Sequence, residues 1–412
     1  MNCRFRYAVV ALIMGLAWIP HAAHAQAPPA TSVNLSTGHG EIETVSESVA
    51  EMVQDRKIAG GIVLAVHKGK VIHFTAHGFR DIASRSPMER DTIVRIYSMT
   101  KPVTSVAVLM LMEDGLLNLD DPVSQHLPEL SDLRVRGFAG SRVKPKTPMT
   151  VEHLLTHTSG MTYGFFGVAP VDLLYMKDHP LFKSTNQEMV AKMGTLPLVN
   201  HPGTTWRYSM STDVLGALVE RVSGQTLGEF FQARLFGPMG MVDTGFVVPA
   251  SKVERFASSY GLGLKLKEGY AASEFLDPNR LQSGGGGLVS TASDYLRFAT
   301  MLLNEGELDG QRYLKASTVK LMTTNRLPDG MRSHVAFGFG LGVRVQPQTW
   351  GAVAHEGQYG WDGVASTHFY NSPADELTVI ALSQRQPFSM GLRHRVTPLI
   401  YKAIADGKTT ED

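Results

Sequence analysis

Apolar and polar positions alternate in three distinct ways along the chain. Ile42, Val45, Val49, Met52 and Val53 recur at helical spacing, which predicts an amphipathic first helix ending before Gly60-Gly61. Residues 62–66 and 71–74 are β-rich runs joined by His67-Lys68-Gly69-Lys70, the composition of a hairpin with turn chemistry at its tip. Residues 103–112 are apolar almost all round, so the helix they predict belongs in the interior, and Pro102 suits its first turn, where a missing N–H costs nothing. From Gly115 to about Leu281 strand patterning is scarce. Thr150 is a candidate N-cap for a helix over 151–155 that stops near Ser159-Gly160; 213–222 reads as a helix stopped by Gly224, and 227–235 as another. Strand-like runs return at 338–345, 352–355, 364–370 and 377–383, with turn residues from Asn371 to Asp375, before a final helix whose apolar face includes Leu392, Val396 and Ile400.

A hairpin near the start and a meander near the end predict an α/β (α+β) fold: one antiparallel sheet built from both termini and flanked by helices, with a mostly helical inserted region. The expected division is a sheet domain over 41–114 and 282–408 and a helical domain over 115–281. No repeat of 20 to 50 residues interrupts this plan. Residues 26–40 carry Pro, Ala, Ser and Thr without an apolar period and read as a flexible lead-in.

Composition narrows the picture. Charged residues are 19% of the 412 and apolar residues 43%, an ordinary globular mixture with no basic tract for nucleic acid. Arg4 and Arg6 precede an apolar run over 7–19, and Ala23-His24-Ala25 supplies the small-x-small pattern of an export signal, so residues 1–25 are expected to be cleaved after Ala25. The run is short for a membrane span, and the expected location is periplasmic or secreted. Cleavage would take the formal charge from +1 to −1 and remove Cys3, the only cysteine, leaving no disulfide or thiol chemistry.

Ser98 and Lys101 stand three apart where the internal helix is expected to begin. If Ser98 opens that helix, both side chains project from one face, about a turn apart. A serine hydroxyl needs a neighbouring base, and burial beside an apolar helix would push a lysine toward the neutral form such a base requires. A helix N-terminus at Ser98 would also aim free N–H groups at developing negative charge. Other features carry less. Ser283 to Leu288 holds four consecutive glycines but no Gly-Lys-Ser/Thr follows, so no nucleotide cofactor is expected. His153 and His157 lie four apart on a helix face without a carboxylate third ligand, which favours packing or capping over a metal.

Ser98-Met99-Thr100-Lys101, Leu154-Leu155-Thr156-His157-Thr158-Ser159-Gly160 and His201-Pro202-Gly203 leading to Trp206-Arg207-Tyr208-Ser209 closely resemble the serine β-lactamase and penicillin-binding superfamily. Within it the chain is most similar to the class C β-lactamase-like esterases, the family VIII carboxylesterases. The likeness continues through Phe236 to Met241, Ser283 to Thr291 and Gly360-Trp361-Asp362-Gly363, spanning roughly 42 to 405.

The resemblance implies a β-lactamase/transpeptidase-like fold and a site. Ser98 would be the nucleophile, Lys101 and Tyr208 a coupled pair that takes and returns its proton, either one serving as base. Trp361-Asp362-Gly363 would replace the Lys-Thr-Gly of β-lactamases and make the N–H of Val364 the oxyanion partner of the Ser98 N–H. His355-Glu356-Gly357, similar to the His-Thr-Gly variant, is a competing register, and His355 as a buried structural histidine is the alternative. Two departures bear on substrate: Met210 stands where Tyr-x-Asn would supply an amide-binding Asn, and Trp361 stands where a lysine would meet a β-lactam carboxylate.

The expected function is an exported serine hydrolase that cleaves small-molecule carboxylic esters through a Ser98 acyl-enzyme. A peptidase, amidase, β-lactamase or acyltransferase with the same nucleophile is the alternative, and a non-catalytic ligand-binding relative a third. Tyr163, Phe165, Phe166 and Tyr175 could line an acyl pocket or simply pack.

Overall fold

The structure is a computed structural model that describes residues 40–331, 333, 338–346 and 354–407. The expected signal and nearly all of the lead-in lie outside these residues, as do positions 352 and 353 of the run expected as a strand. Eight strands make the main sheet: β1 (Gly60–His67), β2 (Lys70–Asp81), β3 (Ser86–Pro87), β4 (Gly338–Phe339), β5 (Arg344–Val345), β6 (Tyr359–Gly363), β7 (Thr367–Ser372) and β8 (Leu377–Ser383). Their order is β4-β5-β6-β7-β8-β1-β2-β3, every neighbour antiparallel.

The first hairpin reverses through Lys68 and Gly69, both at positive φ (51° and 74°), the backbone that matches a tight turn to strand twist. The other edge of β1 pairs with β8, Ala65 opposite Val379, and this one ladder joins the two ends of the chain. β1 is buried on both faces. Ile62, Leu64 and Val66 enter the larger core, while Val63 and Ala65 pack with helices α1 (Glu43–Gln54) and, from the C-terminus, Gly391–Ala405.

On the larger-core side lies α2 (Thr100–Glu113), buried at every residue from Thr100 to Leu111. It packs against α3 (Ser211–Ser223), which ends on Gly224 in the left-handed conformation, and α4 (Ala292–Leu303) packs on β7 and β8. The C-terminal helix on the opposite face is α5 (Gly391–Ala405).

Several expected boundaries move. The strand expected over 364–370 starts three residues later, because Val364, Ala365 and Ser366 form the turn between β6 and β7, with Ser366 at φ 59°. The run at 338–345 is two short strands rather than one. The helix capped by Thr150 ends at Leu155, short of Ser159-Gly160, and the one from Leu227 changes to π geometry over Gln232–Phe236. Between the two halves of the sheet the chain is chiefly helical, with small ladders such as Val135–Arg136 on Arg142–Val143.

His73 on β2 ties the start of the fold to the sheet. Its Nδ1 accepts the Ile42 N–H at 3.1 Å, which leaves the proton of the neutral ring on Nε2, 2.9 Å from Thr75 Oγ1. Burial lowers its pKa to about 4. The unfolded chain, with a histidine near 6.5, therefore binds more protons between those values, so stability is fully present above pH 6.5 and declines as pH falls toward 4, by roughly 3 kcal/mol from this group. Urea unfolding across that window should show the decline, and His73→Gln should flatten it.

Candidate active site

Ser98 lies in a single 3-10 turn, Tyr97–Met99, that runs directly into α2. Tyr97 before it is left-handed (φ 43°). The Ser98 Oγ is 2.8 Å from Tyr208 Oη and 3.2 Å from Lys101 Nζ. Lys101 is fully buried, and its Nζ also donates to Tyr163 Oη at 2.9 Å and to the Gly285 carbonyl at 2.5 Å. Tyr208 arrives just ahead of α3, with its ring 4.9 Å from His157 and 5.6 Å from Trp361. Ser98, Lys101 and Tyr208 are thus brought to one point from two distant segments.

Two further groups complete this cluster and were not singled out by sequence reasoning for it. Asp213, in the first turn of α3, accepts the Gly285 N–H at 3.0 Å and the Ser283 hydroxyl at 2.5 Å, and the Tyr163 hydroxyl approaches its other oxygen at 3.4 Å. Tyr163 therefore bridges Lys101 and a carboxylate. Burial, with Asp213 and Tyr208 adding to it, raises its pKa well above the ordinary tyrosine value, so the hydroxyl keeps its proton. A sequence signal existed only for Asp213, an acid opening an otherwise apolar helix, and it reads equally as an N-terminal charge. His157 is also buried, and burial with Lys101 nearby holds its pKa well below the usual range. His153 caps its helix, its Nδ1 accepting the Thr150 N–H while Thr150 Oγ1 accepts the His153 N–H.

The glycine-rich loop has a packing reason. A Cβ on Gly285 would sit 2.3 Å from Asp213 Oδ2, so only glycine lets the backbone reach both Asp213 and Lys101.

On the facing side, β6 ends at Gly363 against the chain just before Ser98. A Cβ there would lie 2.3 Å from the Ile96 carbonyl and 2.3 Å from Thr367 Oγ1. Trp361 turns toward the site, 5.3 Å from Phe339 and close to Tyr208, while Asp362 points the other way. Val364 opens the turn, and its N–H has no acceptor among the described residues; the Ser98 N–H is in a first turn, where intrahelical partners are lacking. His355 is elsewhere. Its Nδ1 pairs with Asp375 at 2.7 Å and its ring lies 4.3 Å from that of Tyr401 on α5. The register His355-Glu356-Gly357 is therefore not brought to Ser98, because it precedes β6 at the strand's far end, beside the C-terminal helix.

A family model for beta-lactamases matches residues 45–400. The chain belongs to this family. Among its relatives, Protein Rv1367c of Mycobacterium tuberculosis is 35% identical over 359 residues, 82% of this chain and 89% of that protein. Esterase EstB of Burkholderia gladioli is 30% identical over 400 residues, 90% of this chain and 97% of that protein. Of solved structures, EstCE1, described as a hydrolase with promiscuous acyltransferase activity, superposes with a TM-score of 0.76 at 27% identity, covering 87% of this chain and 98% of its own. The likeness to the class C β-lactamase-like, family VIII esterases read from the motifs therefore holds, and so does the β-lactamase/transpeptidase-like fold.

Within this family frame the rim of the cleft is aromatic. Phe165 stacks on Tyr163 at 5.1 Å and Phe166 lies 5.9 Å from the Tyr208 ring; they are 51% and 63% exposed. Tyr175, by contrast, is fully buried and packs. Met210 is buried in the core and offers no polar group.

Because two fixed oxygens would meet a Cβ at position 363, Gly363→Ala must move the end of β6 away from Ser98. We expect labelling of Ser98 by a fluorophosphonate probe to slow at least about tenfold, roughly the loss of one weakened transition-state hydrogen bond. Far-ultraviolet circular dichroism should remain that of the parent.

Proposed function

We propose that the protein is a serine carboxylesterase in which Ser98 carries the acyl group. The observation that supports this most directly is that one hydroxyl, Ser98 Oγ, lies within hydrogen-bond reach of both Tyr208 Oη and Lys101 Nζ. In the proposed reaction Ser98 Oγ attacks the ester carbonyl as its proton passes to the Tyr208–Lys101 pair. The carbonyl oxygen takes the negative charge between the N–H groups of Ser98 and Val364. Collapse breaks the bond to the alcohol, which leaves with the proton held by the pair, and water then releases the acid by the same steps in reverse roles.

Neutral esters with an apolar acyl or alcohol part suit the aromatic rim, and the buried Met210 and the half-buried Trp361 leave out the groups that would favour an amide or a carboxylate-bearing β-lactam. Transfer of the acyl group to an alcohol is a second reading, favoured by the acyltransferase activity ascribed to the similar EstCE1. Residues 1–25 would direct the chain to the periplasm or outside, with 41–114 and 282–408 as a sheet domain around a helical domain at 115–281.

Turnover of p-nitrophenyl esters tests the reading. Ser98→Ala should reduce it by a thousandfold or more, on the order seen when an acyl-transfer nucleophile is removed. Undiminished turnover in that variant would sink the assignment. Tyr208→Phe and Lys101→Met should each lower kcat by about a hundredfold or more, and a chromogenic cephalosporin should be the poorer substrate. Added alcohol would shift product toward the new ester if transfer competes with hydrolysis.

A further inference from the structure

Beside the cleft, one face of the molecule combines unpaired positive charge with exposed apolar side chains. A hairpin formed by Ser259–Tyr260 and Leu266–Glu268 projects Leu262 and Leu266, 63% and 59% exposed. Leu262 forms part of the wall of a cavity of about 380 Å³ whose other walls include Arg56, Lys57, Arg385 and Arg395. The first residue of α5, Gly391, also lines it, so the positive end of a 15-residue helix faces the same space. Phe388, 43% exposed, lies one residue before Ser389 of the cavity wall.

Acids neutralise only part of this charge. Asp55 pairs with Lys57 at 2.7 Å, Glu51 with Arg395 at 3.2 Å, and Glu268 with the buried Arg95 at 3.2 Å. Arg56, Arg385, Lys265 and Lys267 make no ion pair among the described residues; Arg385 donates to the Pro387 carbonyl and Lys267 to Gln386. Four cations without acids, with three exposed apolar side chains in the same or neighbouring segments, give this part of the surface a positive potential that repels its own copy.

We propose that this face is a peripheral docking surface for an anionic lipid bilayer, the cavity receiving a phosphate-bearing headgroup while Leu262, Leu266 and Phe388 enter the interface. A soluble polyanion would satisfy the cations but leave the leucines exposed, whereas an anionic leaflet satisfies both. No helix among the described residues is long and apolar enough to cross a membrane, so the contact is one of surface attachment. The face adjoins the reactive cleft. Gln386 donates to Tyr97 Oη at 3.3 Å, immediately before Ser98, and the Arg385 N–H donates to the Ala365 carbonyl at 3.1 Å, immediately after Val364. Docking there would hold the cleft close to a surface where apolar esters collect. The inference concerns attachment alone and does not depend on the ester reading.

Flotation of the full chain with phosphatidylglycerol vesicles, beside phosphatidylcholine vesicles, tests it. Binding is expected to the anionic vesicles only and to fall steeply with salt. Arg56→Gln and Lys265→Gln should each weaken the partition roughly fivefold, the effect of one basic residue at an anionic leaflet. Leu262→Asp should weaken it further, while all three variants turn over a soluble ester, or react with a fluorophosphonate, at the parent rate. Equal binding to both lipids, or partition unchanged in the variants, would overturn the proposal. Displacement by millimolar inorganic phosphate would also overturn it, by assigning the cavity to a free anion, as would dimerisation abolished by Leu262→Asp.

Discussion

Much of this molecule follows from one buried amine. Lys101 Nζ lies wholly inside the protein, where a nitrogen without partners would cost several kcal/mol. Its acceptors come from three places: Ser98 on its own turn, Tyr163 from the loop after the Thr150-capped helix, and Gly285 from the glycine-rich loop. Each of those segments must therefore close on the start of α2. Asp213 then secures the arrangement by receiving Tyr163 on one oxygen and the Gly285 N–H on the other. The need for glycine at 285 and for a buried acid at 213 are both consequences of bringing backbone and carboxylate close to that one side chain.

The opposite wall of the cleft is held from behind. Trp361 and Asp362 are neighbours on β6 and so face opposite sides of the sheet. Trp361 meets Tyr208, while Asp362 sits in a charged cluster with Arg344 at 2.6 Å, His368 at 2.9 Å and Arg393 at 3.6 Å. Burial alone would raise the pKa of Asp362, but Arg344, followed by His368 and Arg393, holds it well below the ordinary carboxylate range. An ionised anchor on one face and the close fit of Gly363 against Ile96 on the other fix where the strand ends. That position sets how far the Val364 N–H stands from Ser98.

Strands β1, β2, β7 and β8 were legible as short runs of β-forming residues, and the β1–β2 turn through its Lys-Gly, whereas β6, with the composition Tyr-Gly-Trp-Asp-Gly, carries no such run and was not expected as a strand. The two-residue ladders between the sheet halves carry no period at all and left no trace. Val364 misled for a definite reason: a β-branched residue reads as strand, yet the reversal between β6 and β7 needs three residues and takes Val364 into the turn. Ser98, Lys101 and Tyr208 stood out through ordered motifs. Tyr163 was read only as a pocket-lining or packing residue, because its partnership with Lys101 spans 62 residues and leaves no local signature. The choice between Trp361 and His355 was open in sequence, since each stands beside a strand-like run; in the fold Trp361 lies 5.6 Å from Tyr208 while His355 pairs with Asp375.

The proposed preference for neutral esters follows from what the nearby cations already do. A β-lactam or peptide carboxylate needs an uncommitted positive charge at the cleft. Lys101 is enclosed by three acceptors, and Arg207, beside Tyr208 in sequence, is held by the fully buried Asp172 at 2.9 and 3.0 Å. Drawing Arg207 toward a substrate would leave the Asp172 carboxylate buried without its partner, a penalty that one new contact at a wet cleft does not offset. An ester asks for less: two N–H groups for its oxygen, an apolar wall for its chain, and a proton for an alcohol that departs more readily than an amine. In the proposed reaction the aromatic rim formed by Phe165 and Phe166 over Tyr163 and Tyr208 would supply that wall without any charge being moved.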